Sequence, residues 1–148
     1  MITVECAVRV AASAERVWKL FATEEGQRRA EEGFVSSIEF EGKGLGMVRT
    51  MRTEGHLGDG YVKERLDHYD EAEMEMMFRI IDTGDVVPFA DYCGFAKIIP
   101  AGASACVLLM RSTFVPVDMP EAEARAVSEE NYRLFIANVH AAVAAGDV

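Results

Sequence analysis

Positive charge is scarce in this sequence: 15 Lys and Arg stand against 25 Asp and Glu, a net charge of −10 over 148 residues. Nucleic acid and anionic membrane surfaces both require basic patches, so neither is an expected partner. Cysteine is scarcer still. Cys6, Cys93 and Cys106 are an odd number with no Cys-x-x-Cys spacing, which argues against a disulfide framework and reads as three reduced thiols in strands. His56, His68 and His140 are the only histidines, and no two His or Cys fall at ligand spacing on one element, so no metal is expected. No apolar run reaches the roughly 18 residues of a membrane-spanning helix. No signal-peptide pattern precedes the first strand. The expectation is a cytoplasmic protein without membrane insertion. Gly42 to Gly46 lead into no helix and carry no Gly-Lys-Ser/Thr, which argues against a phosphate loop.

What is present suits one core. Half the residues are apolar and 27% are charged, as in an ordinary globular chain, and the length fits a single domain over residues 1–148. Thr3 to Val10 alternates, with Val4, Cys6, Val8 and Val10 on one face, and reads as a half-buried strand. Ser13 caps a short helix, Ala14 to Ala22. The charged stretch Thr23 to Glu32 reads as a second short helix ending at Gly33. From there the period is two. Strands are expected at Phe34–Phe40, Met47–Glu54, Tyr61–Tyr69, Glu73–Ile81, Phe89–Ile99 and Ser104–Val115, separated by Gly-, Asp- and Pro-bearing turns.

The last stretch, Glu121 to Ala145, reads as one long helix. Asp118 is a candidate cap, Pro120 sits near the first turn, and Gly146 is a stop signal. Val127, Leu134, Phe135, Val139 and Ala142 form an apolar stripe. Asn131 and Asn138 interrupt it. Two amides among apolar positions need partners, which suits the wall of a wet cavity better than a filled core. The element order gives an α+β chain: one strand, two short helices, six antiparallel strands and a long helix. The meander's apolar face needs a cover, and the C-terminal helix is the one element long enough to supply it.

At Glu64-Arg65-Leu66-Asp67, Asp70 and Met74 to Ile81, and again at Val117-Asp118-Met119-Pro120-Glu121, the chain resembles the SRPBCC (START-like, helix-grip) superfamily. Within it the polyketide cyclase/dehydrase-type bacterial branch is nearest, and the plant abscisic-acid receptors are more distantly similar. The resemblance implies a helix-grip fold, a curved seven-stranded antiparallel sheet wrapped around the long helix. It also implies a ligand pocket between sheet and helix. Glu64 matches a pocket glutamate, Tyr92 a pocket tyrosine, and Asn138 a helix asparagine that binds ligand through water. Gly55 to Gly60 stands in the place of a gate loop, with His56 and Leu57 at its centre, but lacks that loop's Leu-Pro core. Ser36 and Ser37 stand where the receptors place a lysine, which argues against an anionic ligand held in their manner.

Alternation leaves Glu64 two registers, one buried beside Val62 and Leu66 and one solvated; the resemblance favours the buried one. A buried carboxylate is a candidate acid or base. Tyr92 shares a face with Ala90, Gly94, Ala96 and Ile98, small residues that leave room for a ligand. Met74, Met76, Phe78, Leu134 and Phe135 are expected to enclose the ligand, with Glu64, Tyr92, Asn131 and Asn138 as polar anchors. Arg49 and Arg111 either face inward towards Glu64 or form outward ion pairs. Three functions follow. The first is binding of a small hydrophobic or amphipathic molecule. The second is a cofactor-independent cyclase/dehydratase with Glu64 as general base and Tyr92 as hydrogen-bond donor. The third is a regulatory, partner-binding role, for which a homodimer is one arrangement.

Overall fold

In the computed structural model, which describes residues 1–148, the order is β1 (Ile2–Val10), α1 (Ala14–Ala22), α2 (Glu24–Ala30), β2 (Val35–Glu41), β3 (Val48–Thr53), β4 (Gly60–Asp70), β5 (Glu75–Asp82), β6 (Phe89–Pro100), β7 (Cys106–Pro116) and α3 (Glu121–Ala145). One turn of 3₁₀ helix, Gly55–Leu57, stands between β3 and β4. The strands form one seven-stranded antiparallel sheet of order β1-β7-β6-β5-β4-β3-β2. The sequential strands β2 to β7 are the expected meander, and β1 adds to its far end with Ile2 opposite Phe114 and Val10 opposite Cys106. This is the helix-grip architecture that the element order implies. The cysteines are all free.

Local chemistry starts and stops the helices. The Ser13 hydroxyl accepts the Arg16 N–H at 3.3 Å, and the Thr23 hydroxyl accepts the Gly26 N–H at 3.0 Å, so each short helix has a side-chain cap. Gly26 lets α2 lie against α1, since a Cβ there would stand 2.1 Å from the Lys19 carbonyl oxygen. At α3 the capping differs from expectation. Pro120 takes the N-cap position without a side-chain bond. Asp118 has φ 52° and lies in the preceding turn, too far back to reach the first amides. Gly146, in the left-handed region at φ 74°, ends the helix as expected.

The buried side of α3 is Ala124, Ser128, Tyr132, Phe135, Val139 and Ala142. This stripe is rotated from the expected one, and Val127 and Leu134 fall on its flank. Helix α3 packs against β1, β7, α1 and α2 but makes no comparable packing with β3, β4 or β5. The sheet and the helix therefore diverge over the middle strands.

Two strand irregularities decide which side chains reach that space. The β4–β5 register shifts between Leu66 and His68, so Val62, Glu64 and Leu66 point inward while His68 leaves the face and meets Glu75 at 3.0 Å. In β6 the register shifts between Ala90 and Cys93, at Asp91 with φ 51°. That bulge puts both Phe89 and Tyr92 on the inner side. The sequence suggested Ala90 beside Tyr92; an extra residue in the strand breaks that alternation.

Candidate functional site

The divergence of sheet and helix leaves a cavity of about 130 Å³. This is the order of size of an engineered apolar cavity that admits benzene. Its wall is mostly apolar: Phe21, Phe34, Met51, Met76, Phe78 and Phe135 are among the lining residues. The half-exposed Leu57, Ile80, Val87 and Asn131 also line it and form its mouth.

The floor is charged. Arg49 and Glu64 are cross-strand partners in the β3–β4 register, and both are buried, at 7% and 6% exposure. Arg49 donates to Glu64 Oε1 through Nη2 at 2.8 Å and through Nε at 3.2 Å. Its Nη1 donates to Gln27 Oε1 at 2.8 Å, and Nη2 also reaches Glu31 Oε1 at 3.4 Å. Gln27 lies in α2 and Glu31 caps the end of that helix, one turn on, and Gln27 is itself fixed by donating to the Phe21 carbonyl at 2.8 Å. The Arg49 guanidinium stands 3.8 Å from the Phe78 ring centroid, a cation–π contact in desolvated surroundings. Glu31 Oε2 is buried and has no hydrogen-bond partner.

These neighbours set the proton affinities. Burial pushes the Glu31 carboxyl up to about 7; the Arg49 charge opposes that rise and the Glu64 charge adds to it. Arg49 is raised because Glu31 and Glu64 together outweigh the burial that favours its neutral form. Ionised, the floor holds two carboxylates against one guanidinium.

A second polar group lies on the β6–β7–α3 side. The Tyr92 and Ser112 hydroxyls are 2.9 Å apart, and Ser112 also contacts the Tyr132 hydroxyl. Tyr92 stacks on Phe89 with centroids 5.2 Å apart. Burial raises both tyrosines well above the usual phenol range, so both are neutral hydroxyls near pH 7 and can donate. A Cβ at Gly94 would stand 3.2 Å from the Tyr92 ring, so glycine there gives the phenol its room.

Of the residues singled out in the sequence, Glu64, Met76, Phe78, Tyr92, Asn131, Phe135 and Leu57 line the cavity. His56 is exposed in the turn before β4, and its Nε2 lies 2.6 Å from Asn131 Oδ1, tying the gate-like loop to α3. Three others lie outside the lining. Met74 has φ 52° in the turn before β5, because that turn runs to Met74 and β5 begins at Glu75. Leu134 sits on the flank of the rotated α3 stripe. Asn138 donates to the Ala30 and Glu32 carbonyls, both at 2.8 Å, so its amide joins α3 to the end of α2. Arg111 faces outward, 3.8 Å from Glu5 and over the Phe95 ring.

Sequence reasoning missed Gln27, Glu31, Ser112 and Tyr132. The strand residue was within reach, since Cys106, Leu108, Met110, Ser112 and Phe114 alternate inward. The α2 residues carried a weaker signal: they are four apart and flank Ala30 in a charged segment with little apolar patterning.

A family model described as polyketide cyclase / dehydrase and lipid transport matches residues 1–144. The chain belongs to that family. No curated protein matches it in sequence. Among solved structures it is similar to the protein XoxI from Bacillus cereus, 17% identical with a TM-score of 0.83 over 96% of this chain and 95% of that one. It is similar to the Zhui aromatase/cyclase from Streptomyces sp. R1128, 22% identical with a TM-score of 0.80 over 95% and 92%. It also resembles truncated norcoclaurine synthase from Thalictrum flavum, 17% identical with a TM-score of 0.73 over 96% and 92%. At these identities the likeness establishes the shared fold.

Proposed function

We propose that this protein binds a small, largely hydrophobic molecule in the cavity between β3–β6 and α3. One observation carries the reading: an apolar cavity whose floor is a buried Arg49–Glu64–Glu31 cluster. A core filled for stability alone does not gather three ionisable groups beside empty space, because charges there lose hydration. Glu64 and Tyr92 anchor and orient the ligand, Met76, Phe78 and Phe135 enclose it, and Asn131 stands at the mouth. A volume of about 130 Å³ suits a ligand of one or two rings rather than a long chain.

The same floor supports a second reading, a cofactor-independent cyclase/dehydratase. A carboxyl poised near 7, as Glu31 is, transfers protons readily at neutral pH. In that reading Glu64 draws a proton from the substrate and Tyr92 donates to the developing oxyanion.

The deciding experiment is native mass spectrometry followed by a thermal-shift screen of single- and double-ring apolar compounds. A ligand at a hundred times its dissociation constant stabilises the native state by about 2.7 kcal/mol, which is readily seen as a shift in Tm. Tyr92→Phe and Glu64→Gln should each weaken the affinity for a hit about tenfold, which roughly halves the stabilisation at the same ligand concentration. A screen in which no compound shifts Tm, with no carried ligand, contradicts the binding reading.

A further inference from the structure

Charge and hydrogen bonding on the cavity floor are both incomplete, and in the same place. Arg49 is the one cation among the lining residues, and Glu31 and Glu64 both face it. Its best donors are committed to Glu64 and Gln27, at 2.8 Å each, while its contact with Glu31 is the longest at 3.4 Å. Glu31 Oε2 then lies buried without any donor. Leaving a buried carboxylate oxygen unpaired is costly, and the cavity is where a partner can come from. A ligand hydroxyl would supply the hydrogen bond but not the missing charge. A ligand carboxylate would add a third negative group. An ammonium supplies both, and the aromatic rings of Phe21, Phe34 and Phe135 among the lining residues suit a cation as well as an apolar body.

We propose that the cavity takes a small primary amine carried on an apolar body of one or two rings, its ammonium group received by Glu31 Oε2. This rests on the reading that the cavity binds a small apolar molecule. The groups facing Glu31 are Gln27 on its own helix, Arg49 from β3, Glu64 from β4 and, more remotely, Tyr92 from β6.

The test is isothermal titration of the full chain with three probes that share one phenethyl body and differ in its polar head: phenethylamine, phenethyl alcohol and hydrocinnamate. It is run at pH 8 and at pH 6, either side of the value of about 7 to which burial pushes the Glu31 carboxyl. The expected result at pH 8 is amine binding at least about tenfold tighter than the alcohol, with hydrocinnamate weakest. An alkylammonium stays charged across this range while Glu31 gains ionisation, so amine affinity rises about tenfold from pH 6 to pH 8 and the alcohol's stays flat. Glu31→Gln abolishes the amine preference and its pH dependence but keeps the alcohol's affinity; Glu31→Asp retains the preference. Alcohol binding as tight as the amine's, or an amine preference that survives in Glu31→Gln, overturns the inference and leaves the cavity reading standing. Failure of all three probes overturns both. The pH profile of the unmodified chain decides the matter even if a variant does not fold.

Discussion

Glu31 couples the site to stability. Its carboxyl has an ordinary value of 4.5 and is pushed up to about 7 in the fold, chiefly by burial. Folding therefore favours the protonated form. The contribution is fully present below pH 4.5 and is lost as pH rises through about 7. Glu31→Gln imitates the protonated acid at every pH. Its urea midpoint should match the unmodified protein's near pH 4.5 and exceed it at pH 8 by up to about 3 kcal/mol in unfolding free energy. Coincident curves at pH 8 would mean that the ionised carboxylate is well solvated in the native state, against its burial. Such a residue was hard to read in advance. Glu64 and Tyr92 stand in strands, where alternation narrows the choice to two faces and the superfamily resemblance selects one. Glu31 caps the end of a seven-residue helix, too short for a periodic signal, and nothing in its neighbours marks it as buried.

The elements were legible where a repeating pattern or a cap fixed them. Period-two runs gave the strands, Ser13 and Gly146 bounded helices, and the single long helix had nowhere to pack but on the sheet. The phase of each element was less legible. Two bulges, near Asp67 and at Asp91, redirect side chains in β4 and β6. The face α3 buries is centred on Tyr132 and Val139 rather than Leu134, because contacts with β1 and β7 orient it. Asn138 shows the consequence. On the helix it resembles a ligand residue, yet it donates to two backbone carbonyls at the end of α2. Asn138→Ala should therefore lower stability by about 1–2 kcal/mol, the loss of two modest hydrogen bonds, with probe affinity in the cavity unchanged. A variant with unchanged stability and weakened binding would return Asn138 to the ligand.

Across the whole molecule, the cavity is a stability reserve left unused. Packing elsewhere is close: Val10, Val17, Cys106, Leu108, Phe114 and Val139 are all essentially inaccessible. Beside them, about 130 Å³ stays open, although filling voids is among the easier ways to stabilise a protein. Ala96 tests this trade. It lines the cavity from β6, 8% exposed and paired across strands with Met76 and Met110. Ala96→Val adds two methyl groups to the open space and suits a strand. Each buried methyl is worth about 0.8 kcal/mol by transfer, and crowding against the two methionines subtracts from that, so the expected gain is about 0.5–1 kcal/mol. The same methyl groups occupy a sizeable share of the volume a ring would enter, and probe affinity should fall by about tenfold or more. Stability measured by urea denaturation and affinity by titration must then move in opposite directions. If both fall, β6 is already tightly packed at Ala96 and the binding space lies elsewhere along the strand. If both rise, the added methyl groups contact the ligand without displacing it, and the cavity is larger in solution than its resting volume.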